Sequence, residues 1–232
     1  KKAGNMERVR ATIRKIVKKP LADDAEFTVP EPAMKTRVSS LFADGLARNT
    51  IAVWTIYLFN WVAWFMLLSW LPTVLKASGL PGDQAPMGTV AVNAVFVACA
   101  IPLSILLPRV NTRLLLLVMF VFGILLSVGL ANSGTNWTWV FILAGAAGLG
   151  IGGQQIVLNY MVAQAYPTTL RATATGWAIA AGRIGAIVGS ASGGLVLETV
   201  GISGFYMSLA VPLAIAAAAL LLVRPVKSAV AS

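Results

Sequence analysis

The chain has 232 residues, 58% of them hydrophobic and 11% charged, with a formal net charge of +10. Its mean hydropathy of +0.81 excludes an ordinary soluble domain of this size and identifies a polytopic membrane chain. There is no His, and the single Cys, Cys99, lies inside an apolar run, which excludes disulfides, zinc centres and a Cys/His nucleophile. Half of the positive excess, and 11 of the 18 Lys and Arg residues, fall in residues 1–48. An anionic inner leaflet and the setting of topology account for that excess, so no nucleic acid partner is expected.

The chain opens without a Met or a signal peptide, since Lys1 to Lys19 is basic and polar with no leading apolar core. It is expected to be a fragment or a half-molecule. Met6 to Val17 places Val9, Ile13, Ile16 and Val17 on one face with Arg10, Arg14, Lys15 and Lys18 around it, the pattern of an amphipathic helix on the cytoplasmic surface. From Pro20 to Met34, the prolines Pro20, Pro30 and Pro32 with Asp23, Asp24 and Glu26 predict a linker. Residues 1–48 thus form a cytoplasmic segment of amphipathic helix plus linker.

Residues 49–224 divide into six apolar runs: Ile51 to Leu75, Met87 to Leu107, Leu114 to Leu130, Val140 to Ala165, Ala172 to Leu197 and Phe205 to Val223. Each is near the ~20 residues that cross ~30 Å of hydrocarbon as a helix. An all-α bundle of six transmembrane helices is predicted, with residues 225–232 as a cytoplasmic tail. The basic leading segment, Arg109, Arg113, Arg171, Arg224 and Lys227 fall on one side, and Lys76, Asp83 and Glu198 on the other. The inside-positive bias therefore puts both ends in the cytoplasm, with the chain in the cell's inner membrane. Trp54, Trp70, Trp137 and Trp139 lie near span ends, where amphipathic rings favour the headgroup level.

Two polar stripes and one charge stand out within the spans. In the first span Tyr57, Asn60, Trp61 and Trp64 follow the i, i+3, i+4, i+7 rule. They are either a helix-packing stripe with Asn60 as polar glue or the aromatic wall of a cavity. The fourth span repeats the spacing with Gly148, Gly152, Gln155 and Asn159, beside Gly145, Gly150, Gly153 and Gln154. Tight helix packing and hydrogen bonding to a polar ligand are both open to this stripe. Asn93, a lone amide in the second span, is a weaker candidate.

In the fifth span Gly185, Gly189 and Gly193 recur every four residues, a stripe that favours helix contact. Arg183 points well away from them at about 100° per residue. A central Arg costs about 2.5 to 3.5 kcal/mol on insertion scales, so it faces protein, water or an anion. It is either a structural arginine bonded to carbonyls or an acid, or the group that receives an anion crossing the membrane. Arg171, at the start of the span, is a topology determinant or a gating contact. With no intramembrane acid and no nucleophile-base spacing, an enzyme is not expected, nor is any cofactor or metal.

The run Tyr166-Pro167-Thr168-Thr169-Leu170-Arg171-Ala172-Thr173, then Gly176-Trp177-Ala178 and Gly182-Arg183-Ile184-Gly185-Ala186, resembles the last third of aromatic acid:proton symporters of the major facilitator superfamily. Leu41-Phe42-Ala43-Asp44-Gly45, Ser69-Trp70-Leu71-Pro72-Thr73 and Gly153-Gln154-Gln155 with Leu158-Asn159 are similar too. The resemblance implies the carboxy-terminal six-helix half of a twelve-helix fold. The amino-terminal half of the same transporter would supply the other wall of a central cavity and the proton-handling carboxylates. The cytoplasmic turn Leu107 to Arg113 departs from the family in lacking an acid before its arginines.

The resemblance further implies symport of a proton with an aromatic carboxylate such as benzoate or a hydroxybenzoate. In that scheme Arg183 holds the carboxylate, Tyr57, Trp61 and Trp64 hold the ring, and Asn60, Gln155, Asn159 and Asn93 orient ring substituents. Arg171, Arg109 and Arg113 would serve gating. The alternatives are a symporter for another organic acid or a sugar, and a truncated membrane module that does not transport.

Overall fold

A computed structural model of the chain describes residues 37–43 and 45–224. The expected surface helix Met6 to Val17, the linker Pro20 to Met34, Asp44 and the tail 225–232 lie outside these residues. All regular structure among the described residues is helical, as backbone surrounded by hydrocarbon requires. Helix α1 spans Ala47–Ala77 after a 3-10 turn at Val38–Leu41, and α2 spans Pro86–Leu106 with a 3-10 turn at Leu107–Arg109. Next come α3 (Thr112–Ala131), α4 (Trp137–Ala147), a π-helical turn (Gly148–Gly152) and α5 (Gln154–Ala165). Helices α6 (Arg171–Ser208) and α7 (Ala210–Leu222) complete the chain.

Local chemistry sets these boundaries. Pro86 stands in the first turn of α2, where its missing N–H costs nothing. The Asn111 side chain accepts from the Arg113 and Leu114 N–H groups to start α3, and Asn136 accepts from Trp139 to start α4. Helix α1 begins at Ala47, ahead of the expected boundary at Asn49. The 3-10 turn before it is joined to the bundle, because Leu41 is fully buried and the Thr50 hydroxyl donates to the Leu41 carbonyl at 2.6 Å.

Among the described residues, five helical stretches are long and apolar enough to cross a membrane: Ala47–Ala77, Pro86–Arg109, Thr112–Ala131, Trp137–Ala165 and Arg171–Leu222. The last has 52 residues and holds one break, at Gly201, with φ 70° and ψ −172°. That left-handed φ suits glycine, and it reduces the turn expected over Glu198 to Gly204 to a single residue. Beyond it the Ser203 hydroxyl donates to the Ala131 carbonyl at 2.9 Å, at the end of α3. Twenty-one residues further on, the Arg224 N–H donates to Asn49 Oδ1 at 2.9 Å, at the start of α1. The chain therefore reverses at Gly201 and runs back along the bundle.

Helix α1 is the hub, packing most extensively on α6 and next on α7. Gly182, Gly185, Gly189 and Gly193 of α6 are all buried. A Cβ at Gly185 would run into the Leu58 carbonyl and one at Gly189 into the Val62 carbonyl. Close backbone approach is what small residues allow between membrane helices. Trp70 seals the upper part of this contact, its ring against Gly193 and Gly194 and its Nε1 donating to the Ser190 carbonyl at 2.8 Å. It thus has a helix-to-helix role that span-end position alone did not suggest.

Candidate functional site

The aromatic-amide stripe of α1 divides into two faces. Tyr57, Asn60 and Trp64 are buried against the fourth span and α2. The Tyr57 hydroxyl donates to Asn159 Oδ1 at 2.7 Å. Asn60 Nδ2 donates to Gln154 Oε1 at 2.5 Å and to the Ile151 carbonyl at 3.4 Å. The Trp64 ring lies over Gly152, with its centroid 5.6 Å from that of Phe96. Trp61, about 100° round the helix from Asn60, rests instead on Gly182 of α6, 5.5 Å from Phe65 between ring centroids. Its indole N–H is buried without a hydrogen-bond partner among the described residues.

In the fourth span the expected face of Gly148, Gly152, Gln155 and Asn159 does not stay together. The glycine-rich segment forms the π turn, whose wider coil resets the register, so Gln154 rather than Gln155 enters the interior. Gln154 Nε2 donates to the Met119 carbonyl at 3.1 Å and also to the Gly150 carbonyl. Gln155 is half-buried with its Nε2 unpartnered among the described residues, and Asn159 is exposed, its side chain accepting from Tyr57. The sequence signal for Gln154 was only the density of glycines beside it, since a 3.6-residue period does not hold across a π turn.

Arg183 is exposed in the middle of α6, on the side away from the buried glycines, and forms no hydrogen bond or ion pair with any other described residue. It directly follows Gly182, the residue on which Trp61 rests. Exposed Ile184 and Ile187 flank it. Asn93 is exposed and bonds back to its own helix, Nδ2 donating to the Thr89 carbonyl at 2.9 Å. No metal-binding group of His, Cys, Asp or Glu occurs among the described residues.

The expected gating arginines lie at one end of the bundle without bonding each other. Arg171 Nε donates to the Tyr166 carbonyl at 3.1 Å and steadies the turn before α6. Arg113 Nη2 donates to the Leu221 carbonyl at 2.6 Å, and Arg109 is exposed at the end of its 3-10 turn. The Tyr166 hydroxyl donates to Thr50 at 3.0 Å; burial raises its pKa while that bond works in the opposite sense. An aromatic ladder at the same end was not foreseen as a unit. Trp177 stacks on Trp54 at 5.8 Å, and Phe42 meets Trp54 edge-on at 5.5 Å.

Residues 53–232 match the model of the Major Facilitator Superfamily. The chain is 30% identical over 203 residues to a gallate transporter of Pseudomonas putida, covering 86% of this chain and 45% of that protein. It is 28% identical over 198 residues to the 4-hydroxybenzoate transporter PcaK of the same organism, covering 82% and 43% respectively. It is also 34% identical over 137 residues to a gentisate transporter of Corynebacterium glutamicum, covering 59% of this chain and 30% of the relative. The chain spans about half the length, or less, of these curated relatives. With a family match over most of its length and five helical stretches able to cross a bilayer, this multi-pass membrane chain belongs to the Major Facilitator Superfamily.

Proposed function

We propose that this chain is the carboxy-terminal half of a secondary transporter that carries aromatic carboxylates across the cell's inner membrane together with protons. Taking Gly201 as the reversal, the five helical stretches make six crossings. Arg109, Arg113, Arg171 and Arg224 then share one end and Lys76, Asp83 and Glu198 the other, which supports a cytoplasmic position for both chain ends.

The observation that carries the proposal is the Arg183 guanidinium, uncovered at mid-helix and without a described partner, one residue from the glycine that seats Trp61. A guanidinium receives a carboxylate bidentately, and an indole offers an aromatic face to a ring. Arg183 and Trp61 are the proposed primary contacts, with Gln155 and Asn159 toward ring substituents and Asn93 at the margin. Tyr57, Asn60 and Trp64 support that surface from beneath, since all three are turned into the bundle. An amino-terminal half of the same transporter would close the cavity and supply the proton-handling carboxylates, and rocking of one half against the other would alternate access. Arg171, Arg109 and Arg113 would act at the inner gate.

Names of relatives favour aromatic acids over sugars: gallate, 4-hydroxybenzoate and gentisate transporters are among them. The test is uptake of labelled benzoate, 4-hydroxybenzoate, gallate and gentisate by the complete polypeptide in proteoliposomes, with and without an inward proton gradient. Gradient-driven accumulation of at least one of these acids is expected. Uptake blocked by a sugar or an aliphatic acid but by none of the aromatic acids would overturn the substrate class.

A further inference from the structure

At the arginine-rich end of the bundle, away from Arg183, a cavity of about 350 Å³ opens between the start of α3, the end of α5 and the end of α7. Its polar lining comprises Asn111, Thr112, Arg113, Gln164 and Arg224, and among the described residues no acid lines it. We propose that this cavity binds a phosphate-bearing anion, with the headgroup of an acidic phospholipid as its occupant.

The chemistry of the lining is that of a donor site. Arg113 spends one N–H group on the Leu221 carbonyl and keeps the rest of its fork. Both hydrogen bonds that Arg224 makes, to the Asn49 side chain, use its main chain, so its guanidinium has no described partner. Gln164 Oε1 accepts from the Thr112 hydroxyl at 3.3 Å, which leaves the Gln164 NH2 group to donate. Asn111 has already committed its oxygen to the cap of α3. Two guanidiniums and an amide NH2 around one cavity, with no carboxylate among them, select a multiply accepting anion, and the fork of Arg matches phosphate oxygens in pairs.

Position points to the lipid source. The cavity lies where α3 starts and α5 and α7 finish, which the topology proposed above puts at the cytoplasmic headgroup level, and basic pockets between helices at that face capture anionic headgroups. Met161 and Val223 add apolar lining that suits the start of the acyl chains of such a lipid. The volume lies within the ~300–1,000 Å³ range of ligand sites.

The proposal is tested on the complete polypeptide by native mass spectrometry from detergent, titrating phosphatidylglycerol against phosphatidylcholine, and by thermal melting with added inorganic phosphate. Wild-type protein is expected to retain phosphatidylglycerol selectively. Arg224→Gln, which leaves every described hydrogen bond of that residue in place, is expected to lower retention roughly fivefold. Arg113→Gln should do the same with some loss of thermal stability, and Lys76→Gln at the opposite end should match wild type. Stabilisation by inorganic phosphate that disappears in Arg224→Gln, without phosphatidylglycerol selectivity, would keep the anion site and assign it a soluble occupant. Equal retention of both lipids by wild type and Arg224→Gln, with no phosphate effect, would overturn it.

Discussion

Asn60 of α1 donates its side-chain amide to Gln154 Oε1 at 2.5 Å, in a part of the bundle where both side chains are 0% exposed. Gln154 in turn donates to the carbonyls of Met119 in α3 and Gly150 in the π turn. One amide pair therefore ties α1, α3 and the fourth span together at the point where the fourth span changes its coil. In hydrocarbon surroundings such groups have no water to fall back on, so the pair fixes how the π turn meets its neighbours.

Replacing either member alone strands the other's amide in the interior. Asn60→Leu and Gln154→Leu are each expected to destabilise by about 1–3 kcal/mol. The double variant should lose less than the sum, with a coupling on the order of 0.6 kcal/mol. Thermal or denaturant melting in detergent measures both quantities, and strictly additive losses would show that the pair is not an energetic unit.

Glycines of α6 divide by what surrounds them. A methyl at Gly185 meets the Leu58 carbonyl, a backbone atom that cannot swing aside, whereas a methyl at Gly176 meets nothing within 4 Å. Gly185→Ala is expected to separate α1 from α6 and cost about 1–3 kcal/mol. Gly176→Ala should be neutral or stabilising by up to about 1 kcal/mol through helix propensity. Melting temperatures of the two variants side by side decide the matter.

For transport, Arg183→Ala should reduce aromatic acid uptake by the complete polypeptide at least tenfold, a change of about 1.4 kcal/mol, with folding unchanged because the side chain makes no described bond. Arg183→Lys keeps the charge and loses the fork, so intermediate uptake with a raised KM is expected. Near wild-type uptake in Arg183→Ala would falsify the assignment of the carboxylate contact.

Asn49 clasps the end of the last helix, donating to the Arg224 carbonyl at 2.8 Å and accepting from the Arg224 N–H at 2.9 Å. Asn49→Ala removes both bonds from a partly buried position and should loosen the chain around Val223 and Arg224. Faster hydrogen exchange there than in wild type, with α1 to α5 unaffected, is the expected readout.

Much of the architecture was legible from hydropathy, because ~20 apolar residues between charged turns have few other uses. The glycine stripe of α6 was legible for a similar reason: residues without side chains at a four-residue spacing mark a face where backbones meet. The division of the α1 stripe was not. Tyr57, Asn60, Trp61 and Trp64 occupy one arc by periodicity, yet α6 takes Trp61 and the fourth span takes the other three. Which neighbour covers which part of an arc depends on where the helices cross. The inward role of Gln154 was hidden as well, because the π turn at Gly148–Gly152 breaks the period that assigned the face to Gln155.

By itself the sequence determined that the chain is a helical membrane bundle and that one charge, Arg183, stands within a span, since hydropathy and charge are carried by residues one at a time. Only the tertiary structure decided which amides pair inside the bundle, which tryptophans lock helices together, and that Arg113 and Arg224 meet around one cavity. Those facts belong to helix crossings and to contacts between residues 94 to 120 positions apart, which local periodicity does not encode.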